Sequence, residues 1–358
     1  MSADDTKRLA RRLIIAGFDG LSLPDDLARD CAVGALGGVI LFKRNVESAK
    51  QVSSLVEEIK RSFPKDRPPV VAVDQEGGRV VRISKPLTVL PPARVLGDID
   101  DTELTGAAGR LVGLELRSLG FTLNLAPILD VDTNPNSPVI GDRSFGGKPD
   151  IVIKHGFAFA RGLKTGGVLP CAKHFPGHGD ASFDSHLSLG LVEHDAARLE
   201  AVEMEPFRAW ARTGLGPIMT AHVIYPSLDP DNPATGSRKI ITDLLRERMR
   251  FFGAVLTDDL EMGAVGQSGG AAAMSIASVR AGADGLFVCR SSDVRNEVID
   301  ALSAEAFEHK GFERKLQIAA KRLEPLGSPA GPDVDFSWIG SDDHLSLQDK
   351  VMSRFDRI

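Results

Sequence analysis

Eight short apolar runs punctuate the chain, at 13–18, 38–42, 70–73, 122–125, 169–172, 218–221, 254–257 and 285–289. Each is near-continuously apolar and too short for a buried helix, so each reads as a strand covered on both faces. Longer stretches of helical period lie between them, at 25–36, 48–63, 101–119, 150–165, 196–213, 241–251, 271–281 and 292–303. Leu119-Gly120 and Ala281-Gly282 place glycine where a helix should stop. Strand and helix thus alternate, and such alternation implies parallel pairing with helices on the outside. Eight units over about 300 residues fit an α/β fold of the (β/α)8 TIM barrel type. A doubly wound open sheet is the alternative, but no Gly-x-Gly-x-x-Gly turn follows the first strand.

The pattern changes after the eighth unit. Residues 307–326 read as a final helix with basic residues, 327–343 as a loop or linker, and 345–358 as a last surface helix. One barrel domain over 1–326 with a helical tail at 327–358 is the expected organisation.

Composition narrows the class. Of 358 residues, 42% are apolar and 26% charged, as in a folded globular protein. A net charge of −6 argues against a general binder of nucleic-acid backbone. Cys31, Cys171 and Cys289 lie far apart, two of them in strand-like runs, and read as buried thiols rather than a disulfide framework. The start, Met1-Ser2-Ala3-Asp4-Asp5, is acidic where a secretion signal would be basic, and the run at 13–18 is too short for a signal core. No stretch approaches a membrane-spanning length. A cytoplasmic protein with neither membrane nor nucleic acid as partner is expected.

Active sites of such barrels lie at the C-terminal ends of the strands. Those ends here carry Asp74-Gln75-Glu76-Gly77-Gly78-Arg79 and then Arg82, Asp130 and Asp132 with Asp142-Arg143 downstream, His222, Asp258-Asp259, and Arg290. The fifth strand runs into the densest stretch of all. Residues 173–186 hold one Lys, three His and two Asp among glycines and a proline, with no helix or strand period. The whole rim is carboxylate, imidazole and cation, which suits a small ligand with many hydroxyls. The pair Gly77-Gly78 reads as a tight turn rather than a phosphate cradle.

Three readings of the 173–186 loop stay open on residue types alone. His174, His178, His186 and an Asp are zinc-type ligands, but their spacing matches no known ligand pattern. A Ser-His-Asp hydrolase would need Ser182 or Ser185, and no Gly-x-Ser-x-Gly elbow exists. The third pairs His186 with Asp184, a carboxylate that raises imidazole basicity and fixes the tautomer. His186 would then transfer protons, with Asp258 at a strand end as partner nucleophile. Asp259 suits a helix N-terminus better.

Lys173-His174-Phe175-Pro176-Gly177-His178-Gly179 followed by Asp184-Ser185-His186 resembles the signature of family 3 glycoside hydrolases of the β-N-acetylhexosaminidase branch. The segments 73–79, 143–145 and 257–262 agree with it in order and spacing, and 37–42 and 221–225 are similar too. Thr257 and Glu261 stand where serine is common. The resemblance spans roughly residues 10–325. It implies a retaining exo-β-N-acetylglucosaminidase on a single-domain barrel. Asp258 is then the nucleophile, His186 the acid/base supported by Asp184, and Asp74, Arg82, Arg143, Lys173 and His174 the sugar contacts. In bacterial relatives the substrate is the GlcNAc–anhydroMurNAc fragment of recycled peptidoglycan, with or without its peptide. A monomer without metal or cofactor completes the expectation. Gly177 and Gly179 are candidate hinges for a moving loop. An imidazole acid/base would not repel an anionic acceptor, so inorganic phosphate can compete with water. A β-glucosidase or glycoside phosphorylase is the alternative within the family. A metal-dependent hydrolase or a non-catalytic sugar-binding protein is the alternative outside it.

Overall fold

The apolar runs are strands of one sheet: β1 Ile14–Ala16, β2 Gly38–Leu41, β3 Val70–Val73, β4 Leu123–Asn124, β5 in two halves at Leu169–Pro170 and Ala172–Phe175, β6 Ile218–Thr220, β7 Val255–Asp259 and β8 Gly285–Val288. The structure is a computed structural model that describes residues 2–33, 36–134, 137–181 and 190–357. Neighbours run β5–β4–β3–β2–β1–β8–β7–β6–β5. The first half of β5 pairs with β4 and the second with β6, so one strand stands at both ends and the sheet closes on itself. All of these pairings are parallel. The fold is a (β/α)8 TIM-type barrel in a single domain.

The two faces of each strand go to different cores. Val70 and Ala72 point inward, with Ile15, Ile40, Leu123, Met219, Leu256 and Phe287. Val71 and Val73 point outward and pack under the helices. Both faces are therefore apolar, which is why the strands read as continuous runs rather than alternating ones. Leu323 and Leu326, from the helix Lys310–Leu323 and the turn after it, join the inner cluster. They enter where strands begin, since Leu323 lies against Gly285 at the start of β8. That end is plugged, and the opposite end is left for chemistry.

The helices differ from expectation in several places. Ala3–Arg11 is helical, capped by a reciprocal Ser2–Asp5 pair. Ala93–Ile99 is an added helix before Thr102–Ser118. The stretch read as one helix at 196–213 is two, Ala196–Ala201 and Glu205–Trp210, with Pro206 in the first turn of the second. Lys239–Arg248 is wound as a π-helix, and the Met249 N–H donates to Leu244 O at 2.9 Å just past its end. The tail carries a 3-10 turn, Phe336–Trp338, and the helix Asp342–Phe355. The three cysteines are unpaired and buried, and burial pushes Cys31 and Cys171 up to about 12. Among the described residues no helix is long and apolar enough to cross a membrane.

Candidate active site

The C-terminal strand ends open into a cavity of about 500 Å³. Asp74, Arg82, Arg143, Lys173, His174 and Asp258 all line it. Asp74 follows β3, Lys173 and His174 belong to β5, and Asp258 belongs to β7. Arg82 follows a small hairpin, Gln75–Gly77 with Val80–Val81, whose turn puts Gly77 at φ 107° and Gly78 at φ 55°. Those left-handed values explain the glycine pair. Arg143 ends a 3-10 turn, Gly141–Arg143, beyond β4.

A buried ion network ties these residues together. Lys173 is only 3% exposed. Its Nζ donates to Asp74 Oδ1 at 2.8 Å and stands 2.7 Å from Glu76 Oε1. Arg143 clamps Glu76 with two parallel bonds, Nε to Oε2 and Nη2 to Oε1, both 2.9 Å. Arg82 Nη2 reaches Asp74 Oδ2 at 3.2 Å. Burial alone would raise the Glu76 carboxyl, but Arg143 and Lys173 hold it well below the carboxylate range. Burial likewise opposes ionisation of Asp74, and Lys173 and Arg82 reverse that. Lys173 in turn is held charged, since Asp74 and Glu76 outweigh its desolvation. Fixed ions of both signs thus face the cavity. Such a set can accept from and donate to hydroxyls without having to reorganise.

Asp130, fully buried after β4, organises the base of the 173–186 loop. Its carboxylate accepts from the His174 N–H and from Nδ1 of the His174 ring at 2.8 Å, and from the His178 N–H at 2.8 Å. The Nδ1 bond leaves the other ring nitrogen of His174 as the one not committed to Asp130. Burial lowers the His178 imidazole to about 4, so it is neutral at physiological pH. Asp180 accepts from Thr133 Oγ1 at 3.1 Å and pairs with His194. Gly177 and Gly179, the candidate hinges, are points of close packing. A Cβ at Gly179 would stand 1.9 Å from Val131 O, and one at Gly177 2.6 Å from Glu203 O. Asp184 and His186 lie outside the described residues, as do Ser182 and Ser185.

At the end of β7 the adjacent aspartates divide. Asp259 Oδ1 accepts from the N–H groups of Glu261 and Cys289, at 3.1 and 3.2 Å, and so braces β7 against the end of β8. Burial, with Asp258 and Glu261 nearby, raises its carboxyl to about 6. Asp258 accepts from the Asp259 N–H at 2.8 Å and faces the cavity. His222, buried at the end of β6, donates through Nε2 to Asp259 O at 3.0 Å, and burial lowers its imidazole below the ordinary value. Among the described residues no group of three or more His, Cys, Asp or Glu could hold a metal ion.

Sequence reading missed the counter-charges. Glu76 was seen only as part of a segment, although two buried cations on one rim demand such a partner. Asp130 was noted at a strand end without its role as the support of His174. Arg44, just past β2, also lines the cavity, and the strand-end rule applied to β2 would have found it.

The sequence profile of the glycosyl hydrolase family 3 N-terminal domain matches residues 16–324. A β-hexosaminidase of Neisseria meningitidis is 38% identical over 297 residues, 81% of this chain and 81% of that protein. A glycoside hydrolase family 3 β-N-acetylglucosaminidase from Paenibacillus superimposes with a TM-score of 0.91 at 36% identity, covering 97% of this chain and 68% of that one. NagZ from Neisseria gonorrhoeae, solved in complex with N-trifluoroacetyl-D-glucosamine, superimposes with a TM-score of 0.81 at 32% identity, covering 96% of this chain and 98% of that one. Every cavity residue named above lies within the matched span, and the chain belongs to glycosyl hydrolase family 3 as a glycoside hydrolase.

Proposed function

We propose that this enzyme is a retaining exo-β-N-acetylglucosaminidase. It removes terminal β-linked GlcNAc from GlcNAc–anhydroMurNAc fragments, with or without peptide, in cytoplasmic peptidoglycan recycling. It acts as a monomer and without a cofactor. One observation carries the reading: Asp258, next to last in β7, lines the same cavity as the ion network of Asp74, Arg82, Arg143 and Lys173. The relatives supply the sugar, since one is a β-N-acetylglucosaminidase and another was solved with an N-acylated glucosamine.

The chemistry follows from a carboxylate and an imidazole on opposite sides of a glycosidic bond. The Asp258 carboxylate attacks the anomeric carbon. The bond to the glycosidic oxygen breaks as that oxygen takes a proton from His186, whose other ring nitrogen Asp184 holds. Water then attacks the anomeric carbon while His186 takes its proton, and Asp258 leaves as carboxylate. For Asp184 and His186, outside the described residues, the support is the Lys-His-Phe-Pro-Gly-His-Gly and Asp-Ser-His pattern. Asp258 is preferred to Asp259 because the latter carboxylate is committed to two backbone N–H groups. Asp74, Arg82, Arg143, Lys173 and His174 hold the sugar.

The test is release of the aryl group from aryl β-N-acetylglucosaminide and from aryl β-glucoside, then product analysis on muropeptide fragments. Strong preference for the N-acetyl sugar and full activity in excess EDTA are expected. A well-folded protein that cleaves neither glycoside overturns the reading.

A further inference from the structure

Residues 328–357 lie past the span matched by the family profile, which ends at 324. They do not trail into solvent. Their last helix, Asp342–Phe355, buries His344 and Val351 against the barrel. The docking point is Glu115, a carboxylate on Thr102–Ser118 that is 1% exposed. It accepts from the Gly340 N–H at 3.0 Å and from His344 Nδ1 at 3.0 Å. The same carboxylate accepts from Thr88 twice, through N–H and Oγ1, both at 2.8 Å. The Gln348 side-chain amide donates to the Val89 carbonyl. Gly340, at φ +59°, lies so close to Pro86 that a Cβ there would stand 2.5 Å from its carbonyl oxygen. Gly340 and Gln348 therefore touch residues 86–89 directly, and His344 reaches them through Glu115, which also holds Thr88.

That limb leads back to the cavity. The carbonyl of Leu90 accepts from the Gly78 N–H at 2.9 Å, at the turn of the hairpin. Gln75 Oε1 accepts from the N–H groups of Arg82 and Ile83 at 3.1 and 3.2 Å, and its amide donates to Ile83 O at 2.8 Å. Residues 83–90 thus follow the hairpin and fold back onto it, behind Glu76 and Arg82 beside Asp74. A hairpin this short does not hold its geometry alone. Ligands fixed to within fractions of an ångström need a supporting layer behind them.

We infer that the C-terminal segment is a positioning element for the cavity's hairpin: His344, Gly340 and Gln348 fix residues 86–90, and through them Arg82, Glu76 and Asp74. Only the identity of the hairpin's ligand rests on the proposed function; the mechanical link stands on the contacts above.

The experiment uses the full-length protein with His344→Ala, Gln348→Ala and the double variant, His344→Asn as the conservative replacement, and Met352→Ala on the exposed face of the same helix. Amide hydrogen exchange is followed at 75–90, and KM and kcat are measured on an aryl β-N-acetylglucosaminide. In the folded double variant, exchange at Gly78, Arg82 and Ile83 should rise about tenfold, the size that loss of one or two hydrogen bonds carries. KM should rise several-fold with kcat nearly unchanged, because the hairpin binds sugar without touching the reacting bond. His344→Asn, which keeps a donor toward Glu115, should restore both readings, and Met352→Ala should move neither. If the double variant does not fold, Gln348→Ala alone carries the comparison. Wild-type exchange at 75–90, or a loss confined to kcat, overturns the inference. A wild-type enzyme inert on the glycoside sinks the proposed function instead, and hydrogen exchange then decides the link by itself.

Discussion

Lys173 Nζ stands 2.8 Å from Asp74 Oδ1, although 99 positions separate the two residues in sequence. The contact joins β5 to the end of β3 across the barrel mouth, with both groups buried and Glu76 on the other side of the ammonium. Lys173→Met should therefore destabilise the fold by about 3–5 kcal/mol, the usual cost of stripping one partner from a buried ion pair. The sign with pH is fixed. Asp74 and Glu76 have native pKa values held below their ordinary 3.8 and 4.5, so their contribution is present above that range and lost as pH falls through it. Denaturant titrations should show the gap between wild type and variant largest near neutrality and narrowing below about pH 4. A gap independent of pH would contradict the network.

The proton-transfer role assigned to His186 has a leaving-group signature. His186→Ala and Asp184→Ala should slow cleavage of substrates with poor leaving groups by roughly 10²–10⁴-fold. Very acidic phenols need little protonation, so the loss should shrink for them. Equal losses across a graded series of aryl glycosides would remove His186 as the donor. The same series run with and without inorganic phosphate reads out any competing sugar 1-phosphate.

Asp259 and His178 push stability in opposite directions across mildly acid pH. Asp259 is raised from 3.8 to about 6, so its contribution is present below 3.8 and lost as pH rises toward 6. His178 is lowered from 6.5 to about 4, so its contribution is present above 6.5 and lost as pH falls toward 4. Asp259→Asn removes the Asp259 contribution and leaves that of His178. Stability of that variant should climb with pH between about 4 and 6.5 more steeply than in wild type. Parallel slopes in equilibrium unfolding would show that Asp259 titrates normally.

Much of this architecture is legible in the chain because barrel strands buried on both faces leave apolar runs that no surface element imitates. All eight runs became strands, with ends within one or two residues of expectation for most. The strand-end rule then pointed to Asp74, Arg82, Lys173, His174 and Asp258, which line the cavity, but passed over Arg44. What stayed hidden is of two kinds. Local signals were overlooked, such as the Ser2–Asp5 cap of the first helix. Long-range partners carry no local signal at all. The Glu115 carboxylate finds His344 across 229 positions, and nothing in the Gly-, Pro- and Ser-rich stretch before that helix announces a docked segment. Glu76 and Asp130 lie between these cases, since both sit near strand ends but their worth depends on cations and imidazoles brought from the turn beyond β4 and from β5 and the loop after it.

Close packing beneath the 173–186 loop can be probed by one methyl group. Gly179→Ala places a Cβ 1.9 Å from the Val131 carbonyl, a backbone atom that cannot swing away. A loss of stability of roughly 1–3 kcal/mol is expected, with a larger fractional loss of activity. Gly311→Ala, in the helix Lys310–Leu323 with open space around it, should instead be neutral or stabilising by up to about 1 kcal/mol. Thermal melts of the pair check both signs. A tolerated Gly179→Ala would mean the loop base is looser than the contact with Val131 implies.

In the proposed mechanism Asp258 bonds covalently to the sugar. The most direct measurement is mass spectrometry of Asp184→Ala protein quenched during turnover of an aryl β-N-acetylglucosaminide with a very good leaving group. In that variant the first step is fast and the second, which still needs a base, is slow. A protein heavier by one N-acetylglucosaminyl residue is expected, with the adduct mapping to Asp258 in the peptide that spans β7 and absent from Asp258→Ala. An adduct on Asp259, or steady turnover with no adduct at any quench time, would contradict it.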